Sequence, residues 1–118
     1  MSTTTQEVII SAQNMASDII SAVVDLGSVD LGSIQSVFSG SPAGSLYLEV
    51  SNDIIAVGSD PNSGVTHWDT YGTAQTIAAA GSYTFNISNM GYKWLRLHFA
   101  HTGGSSGSLT STLAAKNG

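Results

Sequence analysis

Basic residues are few in this chain, and most of them gather in one place beside aromatic ones. Only three lysines and arginines occur in 118 residues. Two of them, Lys93 and Arg96, lie in the run GYKWLRLHF, Gly91 to Phe99, beside Tyr92, Trp94 and His98. Successive side chains of a strand alternate between its faces. Lys93, Leu95, Leu97 and Phe99 then share one face, and Tyr92, Trp94, Arg96 and His98 share the other. The first set is mostly apolar and predicts a core face with Lys93 at the strand mouth. The second set holds Trp, Tyr and Arg, the types enriched where proteins grip partners, and is the candidate partner interface. Two other readings compete with it. One is an ordinary outer face, with Arg96 packed over Trp94. The other is an aromatic row on which sugars stack.

The remaining reactive groups suggest no catalytic or metal centre. His98 and His101 form an HxxH, but residues three apart on a strand point to opposite faces, and a structural zinc takes four ligands. His67 stands apart, before Trp68 and Asp69. DPNSG, Asp60 to Gly64, has the Asp and Asn of a calcium-loop fragment without the full spacing or the closing Glu. A turn with Pro at its first corner accounts for it. Neither a G-x-S-x-G elbow, a phosphate loop nor an H-E-x-x-H is present, and the eight carboxylates are scattered. Asn86-Ile87-Ser88 matches a glycosylation acceptor, with no export signal beside it. The expectation is a non-enzymatic protein with no catalytic residue, metal or cofactor.

The elements that position the aromatic and basic run read as short strands. Ser, Thr, Asn and Gly are abundant, whereas the usual fillers of helix surfaces, Lys, Glu and Arg, are scarce. Strands are predicted at Glu7 to Ala12, Asp18 to Leu26, Ile34 to Phe38 and Ser45 to Val50. Leu46, Leu48 and Val50 should face one way, and Tyr47 and Glu49 the other. Further strands are predicted at Val65 to Trp68, Thr73 to Ala78, Gly81 to Ile87, Gly91 to Phe99 and Ser108 to Ala115. A helix over Ile9, Ala16, Ile19 and Val23 also fits by spacing, but the β-branched and polar content favours strands. VDLGS occurs twice in succession, at Val24 and Val29, and reads as duplication around a turn. SGSPAG at Ser39 and HTGGSSG at His101 are turns. Eight to nine short strands at this spacing predict an all-β, single-domain antiparallel sandwich over 1–118. Short flexible tails are expected at 1–6 and 116–118.

Composition narrows the class. Charged residues are 9%, hydrophobic residues 42%, and the net charge is −5. That is enough apolar content for a core and too few cations for a nucleic-acid surface. No cysteine is present, so disulfides and thiolate metal sites are excluded. MSTTTQE lacks the character of a signal peptide, and no run approaches the roughly 18 apolar residues of a membrane helix. The expectation is a soluble domain made in a cytoplasm.

Three segments carry a resemblance. They are SIQSVFSGSPAGSLYLEVSND, AAGSYTFNIS and GYKWLRLHFAHTGGSSGSLTSTLAAKNG. Their order resembles small bacteriophage virion proteins, with Ile34, Gln35, Gly40, Pro42, Gly44, Leu48, Val50, Ser51, Asn52 and Asp53 in the first half. Tyr92, Lys93, Arg96, Leu97, Phe99, Thr102, Gly104, Ser106, Gly107 and Leu109 match in the second. Between Ile54 and Tyr71 a longer loop replaces the family's short turn. The resemblance implies a jelly-roll-like sandwich and a virion structural protein, without fixing a capsid, vertex or tail position. The leading expectation is a protein assembled in the host cytoplasm that decorates or cements a capsid. Its partners would be the major capsid or other virion proteins and further copies of itself, with no nucleic acid or membrane. The alternative is a carbohydrate-binding or receptor-binding module of a phage tail or secreted protein, with Trp94, Tyr92 and Trp68 as stacking platforms.

Overall fold

Alternating apolar and polar residues with β-branched side chains make strands here, and glycine-rich turns fold them against one another. The computed structural model describes residues 3–26, 31–87, 92–103 and 107–117. Among the described residues ten strands form: β1 (Thr3–Asn14), β2 (Ile19–Ile20), β3 (Val24–Asp25), β4 (Leu31–Phe38), β5 (Gly44–Ser51), β6 (Asp69–Thr70), β7 (Gln75–Ile77), β8 (Gly81–Ile87), β9 (Trp94–His101) and β10 (Ser108–Asn117). One helical turn, α1 (Pro61–Gly64), interrupts them.

The strands make two antiparallel sheets. The first has the order β1-β10-β4-β8, and the second β2-β9-β5-β6, with β3 also on β9 and β7 also on β5. Taking β2 with β3 and β6 with β7 as single broken strands gives eight, in the orders 1-8-3-6 and 2-7-4-5. That is the double Greek key of a jelly roll. The sandwich expected from the sequence is therefore the fold found.

The core lies between the sheets. Ile34 of the first sheet and Leu46, Leu48, Leu95, Leu97 and Phe99 of the second are fully buried. Met15 and Leu26, outside any strand, are buried with them. Ser36 and Ser111 are paired in register on β4 and β10 and share a 2.8 Å hydrogen bond inside this apolar layer. Each buried hydroxyl thus satisfies the other.

Two turn glycines are required by close approach. A Cβ on Gly44 would lie 2.3 Å from the Ala100 carbonyl oxygen and 2.8 Å from the Phe99 ring. Gly107 has φ +138°, and a Cβ there would meet the Ser39 carbonyl oxygen at 2.3 Å. Both belong to the glycine-rich turns read from the sequence.

Several boundaries differ from the expectation. Asp18 to Leu26 forms two two-residue ladders with a gap between them. There the Ser21 hydroxyl accepts from the Leu97 N–H at 2.8 Å, while the Ser21 N–H donates to the Leu97 carbonyl. A side chain has replaced a backbone acceptor. Val65 to Trp68 forms no strand, because the Asp53 carboxylate captures the N–H groups of Thr66 and His67. Pairing with β5 resumes only at β6. Asp60 to Gly64 is a helical turn with Asp60 as its N-cap. Thr3 to Gln6 and Lys116 to Asn117, read as tails, are in the paired strands β1 and β10. Gly27 to Asp30 of the VDLGS repeat, Ser88, Gly91, Gly104 to Ser106, and the terminal Met1, Ser2 and Gly118 lie outside the described residues.

Candidate functional site

The residues singled out by chemistry meet on the outer face of the second sheet. β9 lies beside β5 in a register that sets Tyr47 opposite His98, Glu49 opposite Arg96 and Ser51 opposite Trp94. With Leu95, Leu97 and Phe99 turned into the core, pleating turns Trp94, Arg96 and His98 outward. Leu46, Leu48 and Val50 likewise turn Tyr47 and Glu49 outward.

Glu49 is the centre of the face. Its Oε1 accepts from Arg96 Nε at 2.7 Å, and His98 Nδ1 stands 3.7 Å from the same oxygen. Arg96 and Glu49 side chains are only 20% and 14% exposed, so this pair is shielded from bulk water more than a surface pair. The Arg96 guanidinium lies 4.4 Å over the Trp68 ring, a cation–π arrangement. At the other end the Tyr47 and His98 rings are 5.8 Å apart and tilted by 36°. The result is a continuous row, Tyr47, His98, Glu49, Arg96 and Trp68, of rings and paired charge.

Trp94 departs from the expectation. It points outward but is only 7% exposed. Its Nε1 donates to the Asp53 carbonyl oxygen at 2.9 Å, and the Lys93 ammonium stands 5.0 Å from its ring. The loop after β5 roofs it over. Arg96 accordingly covers Trp68, not Trp94. Tyr92 also departs. The β9 ladder starts at Trp94, so the two-residue period does not extend back to Tyr92. That ring is half-buried against the core and meets Tyr71 edge-on at 5.8 Å. Lys93 is at the strand mouth, as expected, but faces solvent, with its ammonium 2.8 Å from Asp25.

The loop that roofs Trp94 is held by its own polar groups. Asp53 Oδ2 accepts from the Thr66 and His67 N–H groups at 2.8 and 3.0 Å, and His67 Nδ1 is 3.2 Å away. Those backbone donors hold the Asp53 carboxyl below its ordinary range. Asn52 Oδ1 accepts from the Lys93 N–H. Asn62 Oδ1 accepts from the Val23 N–H, and its amide donates to Asp60 Oδ1. One side-chain oxygen each of Asp60 and Asn62 is thus engaged with the protein. Beyond Asp53 the same loop carries Ile54 and Val57 fully in solvent. Sequence reasoning passed over these two, although the unbroken IIAV run inside a polar loop is a signal. It also passed over Glu49 as the partner of Arg96.

His98 and His101 stand at different places on β9. His98 belongs to the outer row, while His101 ends β9 and its N–H donates to Asp18 Oδ1 at 2.8 Å. Among the described residues no three His, Asp or Glu side chains gather as metal ligands. No helix among them is long and apolar enough to cross a membrane. Chemically, the row offers stacking faces, hydrogen-bond donors and a shielded ion pair, the equipment of a recognition surface.

No protein-family model matches the chain. Of curated sequences, the Arabidopsis thaliana receptor-like protein kinase THESEUS 1 is 34% identical over 67 residues. Those residues are 57% of this chain, which spans 8% of that protein's length. Among solved structures, the SPBc2 prophage-derived protein YomS superposes with a TM-score of 0.59 at 11% identity, covering 99% of this chain and 96% of that one. A chain of infectious bursal disease virus Gx strain gives 0.54 at 14% identity, covering 98% and 32%. Chitosan-binding module 1 of a chitosanase/glucanase from Paenibacillus sp. IK-5 gives 0.52 at 22% identity, covering 97% and 76%. What this chain shares with these three proteins is the fold, over nearly all of its length.

Proposed function

We propose that this chain is a non-enzymatic structural protein of a bacteriophage virion, which decorates or cements the capsid through contacts with neighbouring subunits. The observation that carries the reading is the eight-strand jelly-roll order, together with the near end-to-end likeness to a prophage-derived protein. A fold alone hosts many functions, so the site must supply the rest. The outer row supports attachment to a protein partner. Its Arg96 is fixed in place by Glu49 and Trp68, and the loop that follows β5 adds Ile54 and Val57, fully exposed, as apolar anchors. Fixed side chains lose little entropy on binding.

Co-sedimentation with assembled virions tests this. The protein is expected to pellet with particles, and an Arg96→Ala variant to pellet less. A protein that stays in the supernatant at every ratio overturns the reading.

The alternative, a sugar- or receptor-binding module, is favoured by the fold shared with a chitosan-binding module. The outer row speaks against it. Trp94 is roofed over, and one face of Trp68 is taken by Arg96, so neither presents that ring face for stacking. Binding on a glycan array that Trp68→Ala abolishes would favour the alternative.

A further inference from the structure

A sheet ends in unpaired backbone groups, and proteins guard such edges with breaks, bulges or charge. Three of the four edges here are guarded. β1 has register shifts between Val8 and Ile10 and between Ile10 and Gln13, a positive φ of 46° at Ala12, and an exposed Glu7. In the second sheet one edge is broken into β2 and β3, of two residues each. The other is broken into β6 and β7, of two and three.

β8 has none of these devices. It pairs with β4 residue for residue from Gly81 to Ile87, with no shift. Its sequence, GSYTFNI, holds no charge and no proline. It ends the first sheet, and no strand pairs its other side among the described residues. The segment Tyr71 to Thr73 lies nearby without forming a ladder with it. An open groove of about 360 Å³ separates the two, lined also by Tyr83, Thr84, Phe85 and Asn86.

We propose that β8 pairs antiparallel with β8 of a second copy of this chain, about a two-fold axis at Thr84, so that two four-stranded sheets become one of eight. Thr84 is the middle of the seven residues, so this register pairs them all. It sets Tyr83 beside the partner's Phe85, Ser82 beside the partner's Asn86, and Thr84 against the partner's Thr84. Aromatic meets aromatic and polar meets polar, the cross-strand pairs that stabilise sheets. Tyr83 and Phe85 already meet edge-on within one chain, at 4.9 Å and 78°. The partner's Tyr83 would arrive next to Phe85, on the side where the groove is open. A slip of two residues leaves part of each strand unpaired, and a slip of one turns the partner's core face outward.

Charge does not oppose this pairing at the strand itself. The chain carries a net charge of −5, so approach of two copies is repulsive in general. β8 brings no like charges together. The interface is isologous, the commonest route to a closed dimer. It lies on the sheet opposite the Arg96 row and does not depend on the virion reading.

The absence of cysteine makes the test clean. Residues directly opposite on antiparallel strands have Cα atoms about 4.5–5.5 Å apart, within disulfide range. Under mild oxidation Thr84→Cys is expected to give a covalent dimer, and Ser82→Cys alone to give none. Ser82→Cys mixed with Asn86→Cys should cross-link. In sedimentation equilibrium Thr84→Lys, which opposes two ammonium groups at the axis, should weaken the dimer at least about tenfold with an unchanged melting curve. A wild-type protein that is monomeric throughout the concentration range overturns the proposal, even if it still binds virions. So does Ser82→Cys cross-linking as readily as Thr84→Cys, or a dimer that Thr84→Lys leaves intact.

Discussion

Glu49 on β5 and Arg96 on β9 stand opposite each other across the ladder, Oε1 to Nε 2.7 Å, with the guanidinium stacked on Trp68. Both side chains are largely shielded, so removing one leaves the other short of a partner. Glu49→Ala is expected to cost about 1–3 kcal/mol. The double variant Glu49→Ala/Arg96→Ala should cost less than the sum of the singles. Urea unfolding of the four proteins checks this. Additive costs would mean that the pair contributes nothing of its own.

Ile54 and Val57 contribute to no core, since both are fully exposed. Ile54→Ser and Val57→Ser are expected to leave the melting temperature within a degree or two, because exposed substitutions away from special features are near neutral. Attachment to virions should fall in both. Unchanged co-sedimentation would remove the loop from the attachment surface.

Leu97 is fully buried at the centre of β9. Truncation in a packed core costs both transfer free energy and a cavity, so Leu97→Ala should lose about 2–5 kcal/mol in equilibrium unfolding. A loss under about 1 kcal/mol would mean that the core collapses around the gap far better than packed interiors do.

Ser36 and Ser111 test polar satisfaction in the core. Either single change to Ala strands the other buried hydroxyl and should cost about 1–3 kcal/mol. Changing both removes the stranded group, and the double variant is expected to be more stable than at least one single variant. Thermal melts of the three variants decide it.

Asp53 gives the loop its pH response. Backbone N–H groups of Thr66 and His67 hold its folded carboxyl below the ordinary value. A lowered folded pKa contributes stability that is present above the unfolded pKa and lost as pH falls through the folded one. The Asp53 to Trp68 loop should therefore stay ordered at neutral pH and loosen only in acid below the usual carboxylate range. Indole fluorescence of Trp68 and Trp94, followed during acidification, reports it. In Asp53→Asn the acid transition should shrink, and an unaltered transition would assign it to another carboxylate.

Much of the fold was legible because strand periodicity is local. The alternation of Leu46, Leu48 and Val50, and of Leu95, Leu97 and Phe99, required nothing beyond neighbouring residues to predict which side faces the core. The glycines of the SGSPAG and HTGGSSG turns pointed to tight approaches that Gly44 and Gly107 in fact make. Lack of cysteine and of charge bounded the chemistry from composition alone. What sequence could not determine was who stands beside whom. That β5 lies next to β9, and so that Glu49 meets Arg96, follows from a jelly-roll crossover spanning 47 residues. The fate of the tryptophans was decided in the same way. Trp94 is buried and Trp68 stacked because the Asp53 loop folds back over the sheet, held by side-chain acceptors that take the N–H groups a strand would have used. Periodicity assigns a side chain to a face. Only the packing of distant segments decides whether that face stays open to a partner or is closed by the chain itself.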